Sequence, residues 1–300
     1  MKYRNLDLVG IGLNVWNGEK TVKRVLISLL KQSHKKIKIH ILDNQSNDNT
    51  IKIIKNLQSK FNNKITLHIS KKQTDIPTAQ RILVKKYLRK YNYCLLANDD
   101  DAYNKNYIKE LLNLIYKKNA DLVFSNFYLI DKNNKYIIPN IKFAKPTYSK
   151  FINVIKFLFI RTSYPFFFGL FKTNSLLKSI DNHRPIGASR SNYDTLTALN
   201  FFSKNKVVFL NKRIFYYALK ERLVIEKNKG GYKVLYNQIN SLYKIYYIQF
   251  ELVLRFIKKT IKEKNFSKLK IIFLTVLVFI VYVQKCTSYQ MKFLLRKLMV

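Results

Sequence analysis

The sequence predicts an α/β fold, in which helices flank a mostly parallel, twisted sheet of Rossmann-like type. Strand-like and helix-like segments alternate over the first ~130 residues, and the strand-like segments end at polar or acidic residues. The chain has 300 residues, of which 48% are hydrophobic, so a sizeable core is affordable and a wholly disordered chain is excluded. With only two cysteines, it has no disulfide framework.

The predicted strands are short apolar runs or runs in which apolar and polar residues alternate. The first ends at Asn14, the second at Asp43 and the fourth at an acidic cluster. Their ranges are Leu6–Leu13, Ile37–Asp43, Ile65–Ile69, Tyr93–Ala97 and Leu122–Phe127.

The predicted helices lie between these strands and place apolar residues at helical spacing. Their ranges are Glu19–Gln32, a segment capped by Asn47 or Asp48 that carries Ile51–Leu57, Thr78–Lys90 and Tyr107–Lys118. This alternation favours a parallel sheet, where ligands bind at the carboxyl ends of the strands.

After Ile130 the pattern is less regular. We expect helices over Phe151–Ile160 and Tyr193–Phe202, a strand at Val207–Leu210 and an aromatic loop or strand over Tyr164–Gly169. The glycine pair Gly230–Gly231 marks a hinge. We therefore expect an α/β domain over residues 1–225, followed by a helical, basic and aromatic extension over residues 226–300.

The charge of the chain is strongly positive, with 56 basic and 17 acidic residues and a formal net charge of +39. Such a balance implies attraction to nucleic acid, phosphorylated small molecules or acidic lipid. Abundant Lys, Asn, Ile, Tyr and Phe are also typical of an AT-rich genome, so the charge alone does not select a partner.

Three consecutive acids, Asp99, Asp100 and Asp101, follow the fourth predicted strand. Adjacent carboxylates repel one another unless something offsets their charge, and Mg²⁺ or Mn²⁺ shared with a substrate diphosphate would do so. The alternative is a solvated acidic turn that caps the next helix. Asp43 ends the second strand, where it could accept a base N–H or belong to a simple polar loop.

Four ordered motifs resemble those of family-2 glycosyltransferases, which have the GT-A fold. They are Gly12–Glu19, Ser28–Ser33 (resembling S-x-x-x-Q-S/T), Ile41–Thr50 (resembling I/V-x-D-N/D-x-S-x-D-x-T) and Asn98–Asp101, which stands in the place of the family's D-x-D. The resemblance is close over roughly residues 6–130 and thins by ~220.

The resemblance implies roles for individual residues. It places Asn14, Asn17, Glu19 and Asn44 at the nucleotide-sugar, with Asp43 at the base. It also implies that Asp99 and Asp101 hold Mn²⁺ or Mg²⁺ and the diphosphate, while Asp100 lies near the sugar or ribose. Arg81 is the basic residue that could reach a phosphate.

The family's catalytic base is an acid that precedes a short helix. Asp194 in Ser191–Leu196 is the best match, Asp181 is the alternative, and a helix N-cap is the competing interpretation of Asp194. The segment Tyr217–Lys220 lacks the family's Arg and His. Lys220, Arg222 or Lys229 could steady the leaving diphosphate instead.

The implied function is transfer of a sugar from a nucleotide-diphosphate sugar to an acceptor hydroxyl, with metal assistance and inversion. The acceptor would be a glycan or a lipid-linked saccharide, as in polysaccharide biosynthesis. The alternatives are a basic nucleic-acid-binding protein, which no Arg-rich run or RNP-like motif supports, and a sugar-phosphate nucleotidyltransferase, which needs a Gly-rich loop after the first strand.

The extension interleaves aromatic and basic residues over Tyr232–Phe256 and carries an apolar stretch, Ile271–Val283, too short to span a bilayer. We expect a cytoplasmic protein that is peripheral on an anionic membrane surface. Packing of the apolar stretch on the domain or in a homo-oligomer is the alternative, and no signal peptide or nucleic-acid partner is expected.

Overall fold

The computed structural model describes residues 8–130, 135–138, 145–160, 166–180, 192–218 and 253–280. The strands are β1 (Val9–Val15), β2 (Ile37–Asp43), β3 (Ile65–Ile69), β4 (Tyr93–Asn98), β5 (Ala102–Tyr103), β6 (Leu122–Ile130), β7 (Tyr136–Ile137), β8 (Leu170–Lys172) and β9 (Val207–Ala218). The helices are α1 (Val22–Leu30), α2 (Thr50–Lys60), α3 (Ile76–Ile82), α4 (Tyr107–Lys118), α5 (Lys150–Ile160), α6 (Thr173–Ser179) and α7 (Asn192–Lys204). Two further helices, α8 (253–262) and α9 (268–280), follow.

Contacts divide the chain into two compact units. One lies within residues 1–180 and 201–221, and the other within residues 181–200 and 222–300. The expected boundary near residue 225 stays a prediction.

The strands described in the first unit form a single sheet, in the order β3-β2-β1-β4-β8-β6-β9-β5, with β7 paired to β6. The strands β3, β2, β1 and β4 are mutually parallel, as are β6 and β9. The short strand β8 is antiparallel to both of its neighbours, β4 and β6. The predicted mostly parallel α/β sheet is thereby confirmed.

The alternating sequence of β1 gives its two faces different packing partners. Ile11 and Leu13 belong to the main core, together with residues of α1 and α4. Gly10 and Gly12 lie on the other face, where a Cβ at Gly12 would come within 2.9 Å of Leu88 Cδ1. The absence of a side chain therefore lets the π-helical turn that follows α3, Leu83–Leu88, approach the strand closely.

Most of the predicted elements match the structure, with corrections at four places. The first strand is Val9–Val15 rather than Leu6–Leu13, and the helix expected over Thr78–Lys90 is divided into α3 and the π-helical turn. The aromatic segment contains a 3₁₀ turn, Phe166–Phe168, before β8, and β9 extends the strand expected at Val207–Leu210 to Ala218. The hinge at Gly230–Gly231 and residues 232–252 of the expected C-terminal helix lie outside the described residues.

Candidate functional site

The carboxyl ends of β1, β2 and β4 meet at one edge of the sheet. In the strand registers, Val15 of β1 pairs with Asp43 of β2, and Asn14 pairs with Asn98 of β4. The polar residues that follow these strands are therefore neighbours, which is the arrangement that the sequence predicts. An edge of this kind is where open α/β sheets bind ligands.

Three side chains between the end of β2 and the start of α2 hold the backbone of the loop after β1. Asn17 N donates to Ser46 Oγ at 2.9 Å and Gly18 N donates to Thr50 Oγ1 at 2.8 Å. Glu19 N donates to Asp48 Oδ2 at 3.1 Å. The pattern S-x-D-x-T thus satisfies three successive backbone N–H groups, which explains why these residue types recur at this spacing.

In the loop after β1, the side chains of Asn17 and Glu19 accept hydrogen bonds from residues that follow β2. Asn47 N donates to Asn17 Oδ1 at 2.9 Å, and both N and Nδ2 of Asn49 donate to Glu19 Oε2 at 3.2 Å. Asn17 itself has a φ of 50°, a left-handed conformation that asparagine tolerates better than most residues. These two side chains therefore fix the shape of the edge, and their contact with a nucleotide stays a prediction.

Asp43 is fully buried at the end of β2. Its Oδ2 accepts a hydrogen bond from Ser46 N at 3.0 Å. Within the part of the chain that the structure describes, Asp43 Oδ1 and Asn14 Oδ1 are buried without a hydrogen-bond partner. Because a buried acceptor that lacks a donor is costly, these two oxygens suit a ligand that brings N–H or O–H groups to the edge.

Asn44 connects the edge to the segment that precedes α3. Its Nδ2 donates to Thr74 O at 2.7 Å, and its Oδ1 accepts from Thr74 N at 2.9 Å. Asp75 then caps α3 by accepting from Thr78 N at 2.7 Å. The amide of Asn44 thus positions the segment that leads to Arg81, which lies half-buried in α3.

The three acids after β4 take different positions. Asp99 is partly exposed, and its Oδ2 accepts from Trp16 N at 3.4 Å. Asp101 is fully buried, and its Oδ1 accepts from Ala218 N, at the end of β9, at 3.0 Å. Asp100 is partly exposed, and its carbonyl oxygen accepts from the guanidinium of Arg24 in α1.

Four residues that the sequence interpretation did not select contribute to this edge. Arg24 holds the acidic turn through the Asp100 carbonyl, and no sequence signal distinguishes it from the neighbouring basic residue Lys23. Trp16 donates its backbone N–H to Asp99 Oδ2, and its side chain is 49% exposed. Gly18 leaves room for Asp99, because a Cβ there would lie 3.0 Å from Asp99 Oδ2.

The fourth of these residues is Gln32, in the motif that resembles S-x-x-x-Q-S/T. It is buried, its Nε2 donates to Asn104 O at 2.8 Å, and its Oε1 accepts from Ile108 N at 3.0 Å. It joins the end of α1 to the first turn of α4, so this motif stabilises the segment that follows the acidic turn.

The residues at the acidic turn fit a divalent cation of the kind that is shared with a diphosphate. Magnesium is usually held by one or two carboxylates together with substrate phosphates, rather than by a cage of protein ligands. Asp99 supplies a partly exposed carboxylate. Because Gly18 has no side chain, the Asp99 carboxylate can occupy its present position beside the loop after β1. The described residues contain no group of three or more His, Cys, Asp or Glu side chains that could hold a metal ion by themselves.

The expected catalytic base is not part of the described geometry. Asp194 falls in the first turn of α7, within the second unit, and the structure describes the backbone there but not its side chain. Asp181, Lys220, Arg222 and Lys229 lie outside the described residues.

Solved structures of TarS from S. aureus share this fold. TarS 1–349 is 16% identical with a TM-score of 0.58, and the match covers 92% of this chain and 91% of that one. The complex of TarS 1–349 with UDP has 16% identity and a TM-score of 0.59 (82% and 65% covered), and the complex with UDP-GlcNAc has 17% and 0.59 (82% and 66%). The fold is therefore of the GT-A type.

Sequence comparison gives a more specific result. The profile of "Glycosyl transferase family 2" matches residues 11–179, more than half of the chain. The chain belongs to this family, as the motifs predicted. "Glycosyltransferase GlyG" of Streptococcus pneumoniae serotype 4 (strain TIGR4) is 26% identical over 128 residues, which are 43% of this chain and 42% of GlyG. The match thus spans less than half the length of this curated relative.

Proposed function

We propose that this protein is a glycosyltransferase, which moves a sugar from a nucleotide-diphosphate sugar to the hydroxyl of an acceptor. The main support is the meeting of Asn14, Asp43 and Asp99 at one sheet edge, in a chain of glycosyl transferase family 2. The edge offers buried oxygen acceptors on one side and a partly exposed carboxylate on the other. A base with N–H groups needs the acceptors, and a cation that is shared with the diphosphate needs the carboxylate.

We propose a UDP-sugar as the donor. Structures of TarS, which share the fold, contain UDP and UDP-GlcNAc. Uracil carries a ring N–H that could donate a hydrogen bond to Asp43 Oδ1.

Asp99, with Asp101 as the second predicted ligand, would hold Mn²⁺ or Mg²⁺ together with the donor diphosphate. The cation would offset the charge that develops on the leaving diphosphate. Asp101 also supports β9 through Ala218 N, so its carboxylate has a structural role in addition to the one proposed. Arg81 is the proposed second cation near the phosphates.

Asp194 is the proposed catalytic base. Removal of the proton from the acceptor hydroxyl would let that oxygen attack the anomeric carbon from the side opposite the diphosphate, so the configuration at that carbon would invert. The acceptor that we propose is a glycan or a lipid-linked saccharide of a polysaccharide pathway. We place this reaction on the cytoplasmic side of an anionic membrane, in keeping with the basic C-terminal residues.

The test is UDP release from UDP-GlcNAc and other UDP-sugars in the presence of Mn²⁺, with Asp99→Asn as the variant. Removing this carboxylate should lower the rate by roughly 100-fold or more, since one group that stabilises transition-state charge is worth that much. Glu110→Gln is the matched control, because Glu110 forms a surface ion pair with Lys212 at 3.2 Å. Equal rates for the wild type and Asp99→Asn would contradict the proposed role of Asp99.

A further inference from the structure

The helix α9 (268–280) is apolar on two opposite sides. Ile271, Leu274 and Val278 are buried and, at 100° per residue, lie on one face. The opposite face is equally apolar, yet each of its large side chains is more than half exposed: Leu269 79%, Ile272 59%, Phe273 55%, Val276 52%, Phe279 58% and Ile280 53%. We call these six side chains the exposed α9 face.

A contiguous apolar surface of this kind marks an interaction site, whereas single exposed apolar residues are ordinary. In the described residues of the first unit the exposed large hydrophobic residues stand alone, as do Phe61 after α2 and Ile69 on β3, or form smaller groups, such as the run of three at Tyr136–Ile138. The exposed α9 face instead gathers six on three turns of one helix, so its exposure needs a partner to explain it.

The charges around this face indicate what that partner is. Residues 253–280 carry seven basic side chains and only one acid, Glu263. The basic residues, at least partly exposed, are Arg255, Lys258, Lys259, Lys262, Lys264, Lys268 and Lys270. Two of them, Lys268 and Lys270, lie in the first turn of α9 itself.

We propose that the exposed α9 face inserts into the surface of an anionic lipid bilayer, with the lysines of residues 258–270 at the headgroups. Apolar and phenyl side chains along one side of a helix, next to a cluster of lysines, form the pattern by which helices lie in a membrane interface. A second copy of this chain is a poorer partner, since it would bring a second set of seven basic side chains and one acid to a face that already lacks acids. The proposal gives the proposed transferase a lipid-bound location, but it does not depend on the donor chemistry.

The described part of α9 is consistent with a helix that lies along the surface. The apolar stretch Ile271–Val283 has thirteen residues, which as a helix would extend about 20 Å, short of the roughly 30 Å of a bilayer's hydrocarbon core. No helix among the described residues is long and apolar enough to cross a membrane.

The experiment measures co-sedimentation of the full chain with vesicles of phosphatidylcholine, either pure or with about one-third phosphatidylglycerol. The wild type should bind the anionic vesicles at least tenfold more strongly than the neutral ones. The double variant Phe273→Ser/Phe279→Ser should lose most of this binding. The double variant Lys268→Gln/Lys270→Gln should bind the anionic vesicles several-fold less strongly than the wild type.

Ile69→Ser and Phe61→Ser form the matched control pair, since both side chains are similarly exposed but lie in the first unit. They should bind vesicles as the wild type does. Unchanged binding of the Phe273→Ser/Phe279→Ser variant, or no binding by the wild type, would overturn the proposal. So would a wild-type dimer that this variant converts to a monomer without any vesicle binding.

Binding of UDP with Mn²⁺, measured on the same proteins, separates this inference from the proposed reaction. Wild-type UDP binding without vesicle binding would reject the membrane face alone. Vesicle binding without any nucleotide binding would reject the proposed transferase alone.

Discussion

Asp43 shows how one residue can serve both the fold and the proposed chemistry. One carboxylate oxygen closes the turn after β2 by accepting from Ser46 N, while the other is buried without a hydrogen-bond donor among the described residues. A fully buried carboxylate is costly unless its charge is compensated, and the nucleotide that we propose would supply the donor that Oδ1 lacks.

Gly18→Ala tests whether the first loop positions Asp99. The new Cβ would lie 3.0 Å from Asp99 Oδ2 and 3.1 Å from Val15 Cγ1, so the carboxylate must shift by a few tenths of an ångström. We expect Mn²⁺-dependent UDP affinity to fall about three- to tenfold, or ~0.6–1.4 kcal/mol. Titration calorimetry measures this effect.

Gly12→Ala is the contrasting variant, because its Cβ would meet Leu88 Cδ1 on the opposite face of β1. It should reduce stability while it leaves UDP affinity within twofold. If Gly18→Ala bound UDP with Mn²⁺ as tightly as the wild type does, this result would contradict the prediction that Gly18 positions the Asp99 carboxylate for binding.

A second residue-scale prediction concerns His40, which is buried on β2. Its Nε2 is 2.8 Å from Tyr91 Oη and its Nδ1 is 3.1 Å from His68 Nε2 on β3. Burial, with the positive charges of His68, Lys90 and Lys38, lowers the pKa of His40 from 6.5 to about 4. Burial also lowers the pKa of His68, with help from Lys86 and Lys90.

The lowered pKa of His40 predicts a loss of stability in mild acid. Between its folded pKa of about 4 and its unfolded value of 6.5, the unfolded state binds more protons, so the free energy of unfolding decreases as the pH falls through this window. The contribution of His40 is about 3 kcal/mol at most. Urea unfolding at about pH 7 and about pH 4, compared with His40→Gln, isolates it. Identical pH dependence of the two proteins would contradict the assignment.

At the scale of elements, the sheet edge depends on how α1 is joined to α4. Gln32 makes this connection through hydrogen bonds to Asn104 O and from Ile108 N, and Ser28 Oγ accepts from Tyr103 N at 3.3 Å. The motif that contains both residues therefore braces the strand β5, which follows the acidic turn.

Gln32→Leu should lower the free energy of unfolding by about 2 kcal/mol, because the buried Ile108 N–H would lose its acceptor. Gln58→Leu is the control, since Gln58 is only half-buried and makes one long contact to Ile65 O at 3.4 Å. Urea unfolding compares the two variants. Equal losses would mean that the Gln32 hydrogen bonds contribute nothing specific.

Long elements with clear periodicity could be predicted from the sequence, and short ones could not. The helix α4 and the strand β2 match their expected bounds because each carries enough apolar residues to define a period. The strands β5 and β8 have two and three residues, too few for any pattern, and their pairing depends on distant partners.

In the site, the position of residues at strand ends could be predicted from the sequence, but contacts that depend on distant segments could not. Asp43 ends β2 and Asp99 directly follows β4, so a parallel sheet brings them to one edge. Arg24 reaches this edge from a helix face, which depends on the rotation of α1 and not on any local motif. The role of Asn44 depends on Thr74, 30 residues further along the chain.

At the scale of the whole molecule, a net charge of +39 is distributed over two compact units with different proposed tasks. In the first unit, Arg81 and the cation that we propose at Asp99 would bind a nucleotide diphosphate. In the second, the lysines beside the exposed α9 face would serve a lipid surface. Both partners are anionic, so one composition suits both tasks.

The most direct measurement of the central proposal is thermal unfolding of the purified chain with UDP, GDP, CDP or dTDP, each with and without Mn²⁺. Ligand that binds only the native state adds about 2.7 kcal/mol of stability at a hundredfold excess over its Kd. We predict that UDP with Mn²⁺ raises Tm by several degrees, that UDP alone does so far less, and that Asp99→Asn abolishes the difference. An unchanged Tm with every nucleoside diphosphate, with or without Mn²⁺, would contradict the proposal that this sheet edge binds a nucleotide-sugar.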